Sequence, residues 1–355
     1  MWEEVQKGHY PLVIQPWALT QAMMIALVAR LSGLRAIVER CGHLLGTTNY
    51  SSLSPALSRE TFRAYVQRLV GVLECRHRPG RGDLVAIDGM AVTLPKTQRH
   101  HCKKVNNKTV GGGVVWAYML NAVKGACPVQ ILKVVRGAWH DTTVMREVAL
   151  IANGPTYLMD RGFYCFELLQ MWRQQHVHFI VRCKAHQFYY EPLSVRRPAR
   201  KSGALQILFD GVAQLGGPKA KIRPVVRLVV AQMTSGESLI LASDQERWSA
   251  EAILAAYKKR WHIERFHRFL KDTLGLAHLY NFDQNGIEFL LHTALLTALL
   301  LFMSETNPSG ETIALLRRVL RAARRALGLG TPWKRNTFAV RRSKGSAKKK
   351  RSKNL

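Results

Sequence analysis

One strongly basic segment, YKKRWHIERFHRFLK, carries a single carboxylate. It runs from residue 257 to residue 271 and contains eight basic side chains, histidines included, with Glu264 as its only acidic residue. Four of its residues recur at offsets of 0, 3, 7 and 14: Tyr257, Arg260, Glu264 and Lys271. On a helix of about 3.6 residues per turn, these offsets share a sector of roughly 60° over about 20 Å of axis. Such a face suits a metal ligand flanked by phosphate contacts, whereas the alternative is a solvated basic helix with a weak Arg260–Glu264 ion pair.

Two aspartates follow short apolar segments that are typical of buried strands. LVAID ends at Asp88 before Gly89, and TYLMD ends at Asp160 before Arg161. A carboxylate at the carboxyl end of a strand is well placed to bind a ligand above a sheet, although an aspartate there also commonly forms a turn. With Glu264, the two aspartates form an oxygen-rich set that suits two Mg²⁺ ions, with Mn²⁺ as the alternative. Two ions held in this way can activate a water or a 3′-hydroxyl for in-line phosphoryl transfer.

The charge balance indicates a polyanionic partner. Lys and Arg number 53 against 23 Asp and Glu, which gives a formal net charge of +30. Fifteen Lys and Arg and no acidic residue follow Glu311, so about half of the excess lies in that tail. The rest of the chain is still basic, and no acidic residue lies between Asp88 and Asp141. These features favour nucleic acid ahead of an anionic membrane surface.

The cysteines and the apolar segments indicate a cytoplasmic protein. The six cysteines include no CxxC pair, which is typical of reduced thiols in an intracellular chain. The first residues, MWEEVQKGHYP, lack an apolar signal segment. The most apolar stretch, FLLHTALLTALLLFM from 289 to 303, is shorter than the roughly 20 residues that cross a bilayer. We therefore expect it to be a buried core helix.

Periodicity along the chain predicts an α/β protein with a mixed sheet flanked by helices. Helical patterns at 17–45, with a break at Ser32–Gly33, and at 51–73 precede three strand-like segments at 84–94, 112–125 and 127–137. A helix at 141–152, a strand at 156–160, a helix at 165–175 and a strand at 178–184 follow, and one long helix is expected from 249 to 274. The predicted divisions are a helical DNA-binding region at 1–78, a core at 79–184, a β-rich insertion at 185–246, core helices at 247–305, and a basic helix with a disordered tail at 306–355.

These residues resemble the DDE transposases of the insertion-sequence-four (IS-four) kind. The signature Tyr-(2)-Arg-(3)-Glu-(6)-Lys of that family fits the four residues at 257, 260, 264 and 271 without a gap. AIDGM at Asp88 and LMDRGFY at Asp160 resemble its two other acidic motifs, at separations of 72 and then 104 residues. The resemblance covers roughly residues 50–305, and the second separation leaves room for the β-rich insertion that such transposases carry.

The resemblance implies a ribonuclease-H-like core, Mg²⁺ dependence, a homodimer that pairs element ends, and cut-and-paste movement of double-stranded DNA through a hairpin. It implies that Asp88, Asp160 and Glu264 hold the metal ions. It also implies that Tyr257, Arg260 and Lys271 contact phosphates near the cleaved strand, and Arg161 is expected to do likewise. One departure is that residues 185–244 contain no Trp to hold a flipped base; the nearby aromatics are Phe188, Tyr189 and Tyr190, and Trp248 follows.

Two other functions remain open on the sequence. One is a domesticated nuclease that cuts DNA without strand transfer, and the other is a non-catalytic DNA-binding regulator. Three carboxylates in a DNA groove weigh against the regulator, because they would weaken DNA binding unless a metal neutralised them. Two smaller motifs have simpler interpretations: RHHCKK at 99–104 is expected to be a basic loop and not a zinc site, and Asp141 in WHD is expected to cap a helix.

Overall fold

The structure is a computed structural model of the 355-residue chain. It describes residues 14–31, 33–47, 49–76, 78–92, 103–105, 108–110, 112–121, 125–136, 141–184, 189–203, 205–233, 236–276, 281 and 283–303. The basic helix and tail predicted at 306–355, the first part of RHHCKK and the start of WHD lie outside these residues.

Helices occupy the N-terminal part of the described chain and return after the strands. Pro16 begins the first helix, where its fixed φ and missing N–H cost nothing, and Arg30 ends it in the left-handed conformation with a φ of 56°. The helices are α1 (Pro16–Ala29), α2 (Leu34–Leu45), α3 (Leu53–Leu57), α4 (Glu60–Arg76), α5 (Asp141–Met145), α6 (Phe166–Gln174), α7 (Ala250–Lys258), α8 (Trp261–Arg268) and α9 (Gln284–Met303).

The strands form one large mixed sheet and a separate small hairpin. They are β1 (Leu84–Val92), β2 (Lys103–Val105), β3 (Lys108–Val110), β4 (Gly112–Asn121), β5 (Gly125–Arg136), β6 (Thr156–Met159), β7 (His178–Arg182), β8 (Tyr190–Val195), β9 (Arg200–Ser202), β10 (Leu205–Leu215), β11 (Val225–Met233) and β12 (Ser238–Ser243). The order in the large sheet is β5-β4-β1-β6-β7-β12-β11-β10-β8, with β9 on β10, while β2 pairs with β3. The parallel pairs β1–β6 and β6–β7 lie at its centre.

The β-rich stretch after β7 extends the same sheet. Strand β12 pairs antiparallel with β7, and Leu241 lies opposite Arg182. Strands β11, β10 and β8 then continue outward from β12. The backbone hydrogen bonds therefore run without interruption from the central strands into this stretch.

Helices cover both faces of the sheet, as the strand periodicity requires. Leu84 and Ala86 of β1 belong to the core beneath α1–α4 and α7–α9, whereas Val85 and Ile87 belong to the core beneath α5 and α6. This alternation is the period of two that a strand buried on both faces imposes. The predicted mixed sheet flanked by helices is confirmed.

The helix predicted without a break from 249 to 274 is interrupted, and that prediction was wrong in detail. Between α7 and α8 the turn tightens, because the Arg260 amide donates to the Tyr257 carbonyl at 3.0 Å and the Ile263 amide donates to the Arg260 carbonyl at 3.1 Å. After α8 the turn widens into a π-helix at Phe269–Thr273. Wide turns of this kind frequently occur at functional sites.

The apolar segment near the end of the described chain is a core helix, as predicted. Within the described residues, one helix, Gln284–Leu301, is long and apolar enough to cross a membrane, but 61% of it is buried inside the protein. Leu290, Leu291 and Leu295 of α9 lie in the same core as the N-terminal helices. By contrast, the helix predicted for 141–152 ends at Met145, so only its first turn forms.

Candidate active site

Asp88 and Asp160 lie side by side at the centre of the sheet. Ile87 of β1 is the register partner of Met159 of β6, so each aspartate immediately follows one member of this pair. Both continue the alternation that points Ala86 and Leu158 toward the core beneath α7–α9. The two carboxylates therefore face the layer of helices that contains Glu264.

The prediction that a strand ends at Asp88 was wrong, whereas the strand predicted for 84–94 is confirmed as far as Val92. The strand continues to Val92, and Asp88 pairs with Trp116 of β4. Only the parallel partner stops at this level, since β6 ends at Met159. Asp160 does follow its strand end, and its Oδ1 accepts a hydrogen bond of 2.7 Å from the Gly162 amide as it caps the short turn Arg161–Phe163.

Arg260 connects Glu264 to the first aspartate. Its Nη2 donates to Glu264 Oε1 at 2.5 Å, and its Nη1 lies 4.0 Å from Asp88 Oδ2. Only 13% of the Arg260 side chain is exposed, so both contacts are partly shielded from water. Glu264 thus faces Asp88 across the Arg260 guanidinium. The Arg260–Glu264 ion pair expected of a solvated helix and the grouping of carboxylates expected of a metal site therefore occur together.

The environment of Asp88 disfavours its ionised form when no cation is bound. Burial raises the pKa of Asp88 to about 7; Arg260 opposes this shift, while Asp160 and Glu264 add to it. Repulsion between neighbouring carboxylates and loss of hydration both favour the protonated acid. A cation placed among these oxygens would lower the free energy of the charged form.

The other residues of the Tyr–Arg–Glu–Lys signature surround the carboxylates. The Tyr257 ring is buried with the Arg260 guanidinium 5.9 Å from its centre, and burial and Asp160 raise the pKa of its hydroxyl while Arg260 lowers it. Burial lowers the pKa of Lys271 in the π-helical turn, although Asp272 and Asp88 oppose that shift. Arg161 is exposed directly after Asp160.

Sequence reasoning missed His267, which is buried beside Asp88. Its Nδ1 lies 3.7 Å from Asp88 Oδ2, and its Nε2 is buried without a hydrogen-bond partner. Burial, with Lys271 and Arg260 nearby, lowers the pKa of His267 to about 3, so its ring is neutral at physiological pH. Its position three residues after Glu264, on the same helical face, was the available signal.

Asp141 also lies closer to the site than its predicted role as a helix cap required. A Cβ at Gly162 would stand 2.4 Å from Asp141 Oδ2, and one at Gly89 would stand 3.1 Å from Asp141 Oδ1. The carboxylate is therefore packed against the glycine that follows Asp88 and the glycine two residues after Asp160. Glycine suits both positions because a Cβ would crowd the Asp141 carboxylate, and neither glycine has a positive φ.

Gly162→Ala is expected to rearrange the site with little loss of stability. The added methyl group would displace the flexible Asp141 carboxylate and stand 3.0 Å from Asp160 Oδ1. Because only the ends of side chains have to move, the free energy of unfolding should fall by about 1 kcal/mol or less. Gly217→Ala is the control, since a Cβ there meets nothing within 4 Å. A loss of several kcal/mol for Gly162→Ala alone would contradict the prediction.

The donor set fits hard divalent cations, although it is not closed around an ion. Asp88, Asp160 and Glu264 offer only carboxylate oxygens, which Mg²⁺ and Mn²⁺ prefer. In the part of the chain that the structure describes, no three histidine, cysteine, aspartate or glutamate side chains are grouped closely enough to hold a metal as they stand. The Arg260 guanidinium instead lies between Asp88 and Glu264.

The chain matches an established family through the segment that contains this site. Residues 79–301 match the family described as the transposase DDE domain. This chain therefore belongs to the transposase DDE-domain family.

Two relatives are named as insertion-sequence or other transposases. A protein of Geobacillus stearothermophilus, named as a transposase for insertion sequence element IS5377, is 27% identical over 189 residues, which are 51% of this chain and 49% of the relative. A protein of Sinorhizobium fredii (strain NBRC 101917 / NGR234), named as transposase y4zB, is 24% identical over 284 residues, which are 74% of this chain and 77% of the relative. The chain thus spans about half the length of the first relative and about three quarters of the second.

Among solved structures, a chain of the piggyBac transposase synaptic complex with hairpin DNA is weakly similar to this chain in fold. The match has a TM-score of 0.39 and 12% sequence identity, and it covers 90% of this chain and 73% of the other. At that TM-score the two folds correspond only loosely.

Proposed function

We propose that this protein is a metal-dependent DNA transposase of the IS-four kind, with a ribonuclease-H-like catalytic core. It would hydrolyse a phosphodiester at each end of an insertion sequence and join the freed 3′-hydroxyl to target DNA. The observation that carries the proposal is the register match of Ile87 with Met159, which brings Asp88 and Asp160 together facing Glu264. A structural aspartate pair would have no need of a third carboxylate across a buried arginine.

The metal ligands in this proposal are Asp88, Asp160 and Glu264. Two Mg²⁺ or Mn²⁺ ions bound there would activate the attacking oxygen and stabilise the leaving oxygen of the phosphodiester. The raised pKa of Asp88 supports the assignment, because the site then gains free energy when a cation offsets the carboxylate charges.

The remaining signature residues are proposed to hold the DNA backbone. Arg260 is bound to Glu264 at present, and we propose that it turns to a phosphate when DNA binds, because a guanidinium fits either anion. Tyr257, Lys271 and the exposed Arg161 would contact neighbouring phosphates of double-stranded DNA. The net charge of +30 supports such a partner. A homodimer would bring the two element ends together.

Metal-dependent nicking tests the proposal. A duplex that carries the terminal inverted repeat of the encoding element should be nicked at the repeat boundary with Mg²⁺ or Mn²⁺, and not with EDTA. Glu264→Gln should reduce nicking by about a thousandfold or more, because it removes a charged oxygen ligand and keeps the shape of the side chain. Full activity of Glu264→Gln, or nicking that ignores the metal, would refute the assignment.

Product analysis separates transposition from simple cleavage. Incubation with a supercoiled target plasmid should yield joined products, and a denaturing gel should show the hairpin that the cut-and-paste route requires. Nicking without joined products would instead favour a domesticated nuclease. Metal-independent binding without cleavage would favour a DNA-binding regulator.

A further inference from the structure

The β-rich stretch after β7 contains a buried ion pair that is remote in sequence from the catalytic residues. Asp210 of β10 and Arg227 of β11 are 1% and 3% exposed, and Arg227 Nη2 lies 2.8 Å from Asp210 Oδ1. Arg227 lies on the face of β11 that carries Val229 and Ala231 toward α7, while its neighbours Val226 and Leu228 are buried on the opposite face. A buried ion pair contributes little net stability on average, so its presence calls for another explanation.

The other terminal nitrogen of the Arg227 guanidinium binds the linker between β12 and α7, residues 244–249. Arg227 Nη1 donates to the carbonyls of Gln245 at 3.0 Å and Glu246 at 3.2 Å, and also to the carbonyl of Trp248. Arg196 donates to the Glu246 carbonyl as well. Two arginines of the β-rich stretch thus bind three backbone carbonyls of this linker.

Asp210 also binds Arg200, which extends the network to the first turn of α7. Arg200 Nη2 lies 3.2 Å from Asp210 Oδ2, and Arg200 Nε donates to Glu251 Oε1 at 2.8 Å. The N-cap of the helix, Ser249, accepts a hydrogen bond of 3.1 Å from the Ala252 amide. Asp210 therefore binds both Arg227 of β11, which contacts the linker, and Arg200 of β9, which contacts the helix.

The same linker is also fixed to the central strands. Gln245 Nε2 donates to Thr156 Oγ1 at 3.0 Å, and Asp244 accepts from the Phe179 amide at 2.7 Å. Thr156 begins β6, whose opposite end leads to Asp160. Helix α7 thus starts at the amino end of β6 and runs toward its carboxyl end, where Tyr257, Arg260 and Glu264 meet the aspartates.

The position at which α7 starts therefore determines where Tyr257, Arg260 and Glu264 lie relative to the aspartates. Nine residues of α-helix span about 13 Å, and a slip of one residue shifts the following side chains by about 1.5 Å along the axis and 100° around it. We infer that the buried Asp210–Arg227 pair is a positioning device, through which the β-rich stretch fixes the depth and rotation of α7 and hence the position of Arg260 and Glu264, which follow in the tight turn and in α8. The inference rests on the proposed function of that site.

A double variant separates positioning from stability. In Asp210→Leu/Arg227→Met both charges are removed, so no uncompensated charge is buried, and such replacements are often neutral for folding. We expect its kcat for Mg²⁺-dependent nicking of the inverted-repeat duplex to fall by about tenfold to a hundredfold, the cost of a small misplacement. The KM for the duplex should stay within about threefold, because the DNA-contacting residues are intact.

Amide hydrogen exchange gives a readout that does not depend on catalysis. Exchange in Ala250–Lys258 should become about tenfold faster in the double variant, while β6 and β7 stay protected. Arg223→Met is the matched control, since Arg223 binds Glu191 and the Gly216 carbonyl in the same stretch, away from the linker. It should change neither kcat nor exchange in α7.

Each outcome decides the question. A double variant with kcat within about twofold of wild type and unchanged exchange in α7 would overturn the inference. If the double variant does not fold, Arg227→Lys decides by the same two readouts, because it keeps the charge beside Asp210 and loses the forked contact with the carbonyls. If the wild-type protein does not nick DNA at all, the proposed function fails, and exchange in α7 still reports whether the pair positions the helix.

Discussion

Asp88→Asn is expected to abolish DNA nicking and to make the metal-free protein more stable near neutral pH. The amide removes one of the charged oxygens that we propose to hold the divalent cations. It also removes a carboxylate that the folded protein ionises at a cost, since burial raises the pKa of Asp88 to about 7 from 3.8. A catalytic residue that is unfavourable for folding is common at active sites, where function opposes stability.

The pH dependence of this effect has a definite sign. Below about pH 4 the carboxyl group is protonated in both the folded and the unfolded chain, and it contributes no difference. Between about pH 4 and pH 7 the unfolded chain loses its proton while the folded chain keeps it, so the stability of the wild type falls as the pH rises. A shift of about three pKa units corresponds to roughly 4 kcal/mol as an upper value.

Denaturant unfolding in EDTA at several pH values measures the effect. The free energy of unfolding of Asp88→Asn minus that of the wild type should grow from pH 4 to pH 7 and then level off. Asp83→Asn is the control, because Asp83 lies before β1, outside the site, and accepts a hydrogen bond from the Gly80 amide. A difference that is constant with pH would show that Asp88 titrates normally in the folded protein.

Arg260→Met is expected to have the opposite effect on stability and the same effect on activity. The change leaves Glu264 and Asp88 without the cation that now lies 2.5 and 4.0 Å from their oxygens. Loss of one partner from a fully buried ion pair typically costs about 3 kcal/mol or more, and we expect about 1–2 kcal/mol here because 27% of the Glu264 side chain is exposed. Nicking should also fall steeply, because the proposed phosphate contact is lost.

Added Mg²⁺ distinguishes this role from ordinary packing. Millimolar Mg²⁺ should restore more stability to Arg260→Met than it adds to the wild type, because the ion no longer competes with the guanidinium for the carboxylates. Arg63→Met is the control: it removes a comparable ion pair with Glu288 at 3.2 Å, between α4 and α9, and should lose stability with no Mg²⁺ rescue. Equal Mg²⁺ effects on the two variants would contradict the proposed role of Arg260.

The sequence predicted those parts of the fold that depend on local patterns. Short continuous apolar segments located the central strands around Asp88 and Asp160, and the length of the apolar stretch at 289–303 indicated that α9 is a core helix. The spacing of Tyr257, Arg260 and Glu264 indicated a shared face because three- and four-residue offsets stack on any right-handed helical turn. These signals are local, and burial on the folded sheet reinforces them.

What the sequence did not predict depends on contacts between distant segments. Two interpretations of the segment around Asp88 were open on the sequence, a strand through 84–94 and a strand end at Asp88, and only the pairing with β4 decides for the first. The tight turn at Arg260 and the wide turn at Phe269–Thr273 leave no sequence signal, because no Pro or Gly marks either one. His267 approaches the site only when α8 packs on the sheet, and Asp141 only when α5 does.

The unbroken sheet has a consequence for how this chain can be divided. Strand β7 is shielded on its outer side by β12, through the pairing of Ile180, Val181 and Arg182. A chain shortened by removal of 185–244 would leave the backbone amides and carbonyls of this apolar strand open to pairing with other chains. Exposed edges of that kind lead to aggregation. The β-rich stretch is therefore required by the sheet itself, because it keeps β7 from pairing with strands of other chains.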